Sequence, residues 1–174
     1  PRVRALQLKG VAFLKENRRY YPKRELAAHV LGYVGTDNVG LAGLESTYDA
    51  QVRGKDGKVF VTTDARQHAL FSRVDRHATA GAALELTIDQ YLQHIAERML
   101  GAGVEQNRAA GGSAVVMDPR TGEILALANW PTYNPNARNR VAREKMRNRA
   151  LTDVFEPGST LKPFTVAAAL ESGA

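Results

Sequence analysis

The chain has 174 residues, of which 44% are hydrophobic and 24% charged, and 24 Lys and Arg stand against 18 Asp and Glu for a net charge of +6. That composition belongs to globular protein, not to a disordered chain, and the length suits one ordinary domain or two small ones. The absence of cysteine excludes disulfides, thiolate zinc sites and thiol catalysis, and the longest apolar runs (Ala114 to Met117, Ile124 to Ala128, Val166 to Leu170) fall far short of the ~18 residues of a membrane span.

Residues 1–80 mix glycine, charge and short apolar runs, with one basic cluster at Lys15, Arg18, Arg19, Lys23 and Arg24. Tyr21-Pro22 interrupts any helix there. Glu25 to Val30 suits a short helix or strand, and Gly32, Gly35, Asp37, Asn38 and Gly40 mark loop. Leu41, Leu44, Tyr48 and Val52 recur at spacings of three and four, which predicts one helix ending near Gly54. Glu45 on it suits a structural salt bridge. Lys58 to Thr63 alternates and is rich in Val and Thr, which predicts a strand, with a second around Leu70 to Val74.

The register changes at Thr79-Ala80-Gly81. Ala83 to Thr87 predicts a short strand leading into the clearest helix of the chain. Thr87 and Gln90 have the spacing of a capping box, Ile88, Leu92, Ile95, Ala96, Met99 and Leu100 make its buried face, and Gly101 and Gly103 loosen its end. Ser113 to Met117 and Glu123 to Asn129 read as partner strands across a turn, Asp118-Pro119-Arg120-Thr121-Gly122, that Asp118 shapes. Trp130 and Tyr133 suit either packing, the preferred reading, or the lining of a substrate groove. Pro131, Asn134, Pro135 and Asn136 open an irregular connection of about twenty residues, long enough to suspect function. Its basic run, Arg138, Arg140, Arg143, Lys145, Arg147 and Arg149, lacks the interleaved aromatics or docking helix of a nucleic-acid surface and is expected as a solvated loop near the site. A last helix is predicted from Ser159 to Glu171, with Gly173 as its C′ glycine. One hairpin and two helices do not close a core, so the second half reads as incomplete. His29, His68, His77 and His94 have no paired ligand spacing, and no metal or cofactor is expected.

Ser159 and Lys162 form S-x-x-K. Three residues apart on a helix, the two side chains share a face. A serine hydroxyl needs an adjacent base to act as a nucleophile. A lysine deprotonated by burial and by the positive end of a helix can serve, and the free N–H groups of that end favour an oxyanion. Glu156-Pro157-Gly158 places a tight turn just before, and Pro163 in the first helical turn is expected to leave the Ser159 carbonyl free. The motif by itself is also a serine N-cap followed by a solvated lysine.

The context of the motif resembles the class B penicillin-binding proteins. The stretches that carry the likeness are EPGSTLKPF (Glu156 to Phe164), AVVMDPRTGEILALANWPTYNPN (Ala114 to Asn136), LELTIDQYLQ (Leu84 to Gln93), GLESTYDAQVRGKDG (Gly43 to Gly57) and YYPKRELAAHVLGYVG (Tyr20 to Gly35). NRALTDVFEPGST (Asn148 to Thr160) looks like the cell-division subfamily. The resemblance implies an α+β fold: a mixed linker or pedestal domain over residues 1–80, then residues 81–174 as the opening of a transpeptidase domain, an antiparallel sheet packed against helices. It implies a peptidoglycan D,D-transpeptidase in which Ser159 attacks the penultimate D-Ala of a stem peptide ending in D-Ala-D-Ala and Lys162 is the base. It also implies β-lactams as trapping ligands, a septal glycan polymerase and other division proteins as membrane partners, and a place on the outer face of the cytoplasmic membrane, anchored by a helix this chain does not contain. The family's later motifs, S-x-N and K-T-G, do not occur after Ser159, so the chain alone is expected to be inactive. A non-catalytic division scaffold, a β-lactamase or β-lactam sensor, and a basic nucleic-acid binder are the competing readings.

Overall fold

The computed structural model describes residues 2–6, 8, 11, 13, 18–64 and 69–173; Lys15 and His68 of the sequence expectations lie outside them. In chain order the elements are α1 (Arg2–Ala5), α2 (Ala28–Leu31), β1 (Tyr33–Val34), β2 (Gly40–Ala42), α3 (Gly43–Thr47), α4 (Asp49–Val52), β3 (Lys58–Thr63), β4 (Ala69–Arg76), α5 (Gln90–Gln106), β5 (Gly112–Met117), β6 (Ile124–Trp130), α6 (Arg149–Thr152) and α7 (Lys162–Ser172). Among the described residues the strands pair with their neighbours along the chain, as three antiparallel ribbons: β1 with β2, β3 with β4 and β5 with β6. The expected α+β architecture is present. Among the described residues no helix is long and apolar enough to cross a membrane.

In the first half the two strands after Gly57 form as expected, but the single helix expected over Leu41 to Val52 does not. Leu41 lies in β2 and is 53% exposed. Gly43, at φ +58°, turns the chain into α3, and Tyr48 separates α3 from α4. A side chain at Gly43 would collide with the carbonyl of Val30, 2.6 Å from a built Cβ. The close approach of α2 thus overrides the helical spacing. Glu45 makes the expected salt bridge, with Arg19 Nη2 at 2.9 Å, and also accepts from Tyr21 OH at 3.2 Å.

The second half is organised by β6. Ala126, Leu127, Ala128 and Asn129 are all buried, and successive strand residues face opposite ways, so both faces are covered. Trp130 lies against Gly101 of α5, which puts Ala126 and Ala128 on the α5 face. Leu127 and Asn129 take the other face, where α2 and α6 pack. β5 is open by comparison, with Val115 and Met117 about half exposed.

The 17-residue helix α5 is capped by Asp89, whose Oδ1 accepts from the N–H groups of Tyr91 and Leu92, both at 2.8 Å. This corrects the expected Thr87–Gln90 capping box: Thr87 Oγ1 donates instead to the carbonyl of Ile124 at 2.7 Å. Met99, expected inside, is 61% exposed, and the side chain at full burial is Gln93. Gln93 Nε2 donates to the Leu127 carbonyl at 2.9 Å, and its Oε1 accepts the Leu127 N–H at 2.8 Å. The carboxamide thus pairs with the outer edge of β6 as another peptide would. The Asp89 N–H takes the carbonyl of Leu125 on the same edge. Since α5 and its cap already fill that edge, Ala83 to Thr87 joins no ladder and bends at Thr87, where a strand was expected. Gly101 and Gly103 do not loosen the helix, which continues to Gln106. Gly101 is the close-packing position for Trp130, whose ring carbons lie 3.0 to 3.4 Å from a built Cβ.

The side chains of Arg140, Arg143, Lys145 and Arg147 in the basic connection are exposed, as a solvated loop requires, but its backbone is ordered against the rest of the protein. It runs through two 3-10 turns, Pro135–Arg140 and Arg143–Met146, and packs onto the first half. Tyr133 is 3% exposed and donates to the carbonyl of Ala28 at 2.9 Å. The Asn136 carboxamide bonds both the N–H and the carbonyl of Tyr21, at 3.0 and 2.8 Å. His29 is buried edge-on to Tyr133 and its Nε2 donates to the Lys145 carbonyl at 2.8 Å. Ala27, left-handed at φ +53°, is held there by Glu97 Oε1, which accepts its N–H at 2.8 Å.

Candidate active site

The segment that carries Ser159 leaves the body of the protein at α6. Arg147 Nη2 pairs with Asp153 at 2.9 Å, Arg149 Nη1 at 3.6 Å, and Thr152 Oγ1 donates to the Asn148 carbonyl at 2.9 Å. Val154 and Phe155 then run exposed into Glu156-Pro157-Gly158. Gly158 sits at φ +54°, a left-handed conformation natural to glycine. A 3-10 turn, Gly158–Leu161, presents Ser159, and α7 begins at Lys162. The Pro157 carbonyl accepts both the N–H and the hydroxyl of Thr160, which closes the turn around Gly158 and Ser159.

Ser159 and Lys162 therefore stand together at a helical start, one in the 3-10 turn and the other opening α7. The expected single helix from Ser159 is divided there. The Ser159 carbonyl is not free: it accepts the Lys162 N–H in the 3-10 pattern, which supplies a partner that Pro163 cannot. Both residues are exposed, as is the whole of α7, with Phe164 at 71% and Leu170 at 74%. Among the described residues Ser159 Oγ and Lys162 Nζ make no hydrogen bond, and Lys162 is exposed where burial was expected. Gly173 closes α7 in the left-handed conformation, as the sequence predicts.

Burial pushes the Glu97 carboxyl above its ordinary value, against the bonds from Gln93 and Ala27. Burial lowers His29, and Arg149 adds to the effect. Asp118 is held below its ordinary value by the N–H and guanidinium of Arg120, consistent with its turn-shaping role. A cavity of about 590 Å³ between the halves, lined by Val30, Leu44, Leu86, Leu127 and Tyr133 among others, includes neither Ser159 nor Lys162.

Sequence reasoning missed Asn129, Asn148 and Gln93. Each is a carboxamide whose only signal in the sequence is a polar residue within or beside an apolar run.

The chain matches two family models: the Penicillin-binding Protein dimerisation domain over residues 2–86 and the Penicillin binding protein transpeptidase domain over residues 112–174. It is 42% identical over 171 residues to the peptidoglycan D,D-transpeptidase FtsI of Escherichia coli K12, an alignment covering 98% of this chain and 29% of that protein. It is 38% identical over 172 residues to the stage V sporulation protein D of Bacillus subtilis, covering 97% of this chain and 27% of that one. Among solved structures, penicillin binding protein 3 of Mycobacterium tuberculosis complexed with aztreonam superposes with a TM-score of 0.75 at 33% identity, over 91% of this chain and 32% of that one. The chain thus spans under a third of the length of these relatives. Two domains matched in this order, with the likeness running along nearly the whole sequence, identify the family: the chain belongs to the class B penicillin-binding proteins.

Proposed function

We propose that the complete protein is a peptidoglycan D,D-transpeptidase of the cell-division type, acting through an acyl-enzyme on Ser159. The observation that carries this reading is the placement of Ser159 in a glycine-led 3-10 turn with Lys162 opening the helix behind it. The names of the relatives and the aztreonam complex of one of them support it.

In this mechanism Ser159 Oγ attacks the carbonyl of the penultimate D-Ala, and Lys162 Nζ takes the hydroxyl proton. The Ser159 N–H, at the start of the turn, is one donor to the oxyanion. Collapse of the tetrahedral adduct breaks the peptide bond and returns a proton to the departing D-Ala amine. The amine of a neighbouring stem peptide then attacks the acyl-enzyme, forms the cross-link and regenerates the Ser159 hydroxyl. A β-lactam enters the same first step, and its opened ring stays bonded to Ser159. Residues 1–80 act as the pedestal and 81–174 as the start of the catalytic domain. Division proteins in the membrane, a glycan polymerase among them, are the partners, and the site of action is the outer face of the cytoplasmic membrane. The 174 residues alone are expected to be silent: the family resemblance assigns a second oxyanion donor to K-T-G and the proton relay to the leaving amine to S-x-N, and the donor by itself is worth about 3 kcal/mol.

The test is covalent labelling of the complete protein with a fluorescent penicillin, read by intact mass. Ser159→Ala should abolish the adduct, and Lys162→Ala should slow its formation by about a thousandfold or more. Labelling that survives in the Ser159→Ala protein would sink the assignment.

A further inference from the structure

We infer that Asn129 is a positioning residue for acyl transfer: from β6 it fixes the one-turn helix from which the Ser159 segment departs. The inference rests on the reading of Ser159 as the nucleophile. Asn129 is 3% exposed and lies directly opposite Ser113 in the ribbon. Its Oδ1 accepts from Ser113 Oγ at 2.9 Å and from the Ala150 N–H at 2.8 Å, while its Nδ2 donates to Asn148 Oδ1 at 2.9 Å.

α6 is four residues long, far below the length at which a helix holds itself in water. The residue at its N-cap, Asn148, gives it no side-chain cap. That side chain is committed between Asn129 Nδ2 and the His29 carbonyl, the latter at 3.4 Å. The cap comes instead from the neighbouring strand. The Ala150 N–H is one of the first-turn donors that no helical carbonyl reaches, and Asn129 Oδ1 accepts it, in the way an N-cap side chain serves the second residue of a helix. At its other end α6 closes on Asp153, held by Arg147 and Arg149. Residues 147–153 are therefore a tied unit with Asn129 as its buried anchor on the sheet, and Ser159 follows six residues after Asp153. Pro157 removes one backbone freedom from that short span. Without Asn129 the whole unit shifts with the connection before it, and misplacing a reacting atom by about 1 Å is enough to cost up to a hundredfold in rate.

The complete protein is used for the test. Acylation by a fluorescent penicillin is followed so that affinity for the non-covalent complex and the acylation rate constant are separated, and melting is recorded alongside. Asn129→Ala should acylate about 10-fold more slowly with unchanged non-covalent affinity. Asn129→Asp keeps an acceptor for Ala150 and should recover the rate to within about threefold of the parent. Ser113→Ala removes a bond to the same Oδ1 but leaves Ala150 paired, so it should lower the melting temperature and leave acylation at the parent rate. If the alanine variant does not fold, Asn129→Ser, too short to reach Ala150, carries the same expectation. Acylation at the parent rate in the alanine or serine variant overturns the inference. So does a Ser113→Ala protein slowed as much as Asn129→Ala, which would make the role one of stability alone. A parent protein that takes no label, or labelling that survives Ser159→Ala, overturns the reading of the site and the inference with it.

Discussion

Replacing Gln93 by Leu tests how the outer edge of β6 is held. The substitution keeps roughly the volume and removes three bonds: to the N–H of Leu127, to the carbonyl of Leu127, and to Glu97 Oε1 at 2.7 Å. Leu127 is 5% exposed, so water does not replace the lost partners. Two buried backbone groups left unpaired cost about 2 kcal/mol each. Burying a leucine in place of an amide returns about 1 kcal/mol. The net loss is about 3 kcal/mol. The readout is amide exchange at Leu127 in the complete protein, where an opening free energy lower by that amount speeds exchange roughly 100-fold. Exchange within about threefold of the parent would show that the edge is satisfied in some other way, and the role assigned to Gln93 would be wrong.

Gly101→Ala should gain about 1 kcal/mol in helix propensity and lose about 2 to overpacking, because the new methyl meets the flat face of the Trp130 ring. Trp130 is the single tryptophan, so its emission reports the displacement directly; unchanged emission with raised stability would refute the contact. Glu97→Gln keeps an acceptor for Ala27 and Gln93 and removes a carboxyl whose affinity for its proton is raised by burial. A raised carboxyl binds its proton more tightly folded than unfolded, so its contribution to stability is greatest at acid pH and falls as pH rises from its ordinary value through the raised one. The variant should therefore melt higher than the parent near neutrality and converge with it at acid pH, and a variant that melts lower at every pH would contradict this.

The legible parts of the sequence were those where local chemistry decides. The β5–β6 ribbon follows from two apolar runs around Asp118 and Gly122, and the two strands after Gly57 follow from alternation. Gly173 announced the end of α7, and Glu45 its salt bridge. The illegible parts were set by contacts distant in sequence. Leu41 has the right spacing for a helix, but the approach of Val30 to Gly43 turns the chain first. Ala83 to Thr87 has the composition of a strand, but the α5 cap and Gln93 occupy the edge it would need. Thr87 has the spacing of a capping box, but the carbonyl of Ile124 takes its hydroxyl and Asp89 caps the helix instead. At the site, the Ser159 and Lys162 pair was visible as spacing plus its Pro-Gly turn. The carboxamide of Asn129 was not, because nothing local separates a buried asparagine that caps another element from one that faces water.

The backbone of residues 21–29 has a consequence for recombining relatives. The N–H and carbonyl of Tyr21, the N–H of Ala27 and the carbonyls of Ala28 and His29 are each paired with a side chain of the second half, namely Asn136, Glu97, Tyr133 and Asn148. A first half exchanged at Gly81 with that of a relative would carry its own sequence across the join but leave these partners behind. Its fit would hang on four side chains lying 16 to 67 positions beyond the crossover, counted along the chain. Exchange should be better tolerated among relatives that keep those four residues than among relatives that do not.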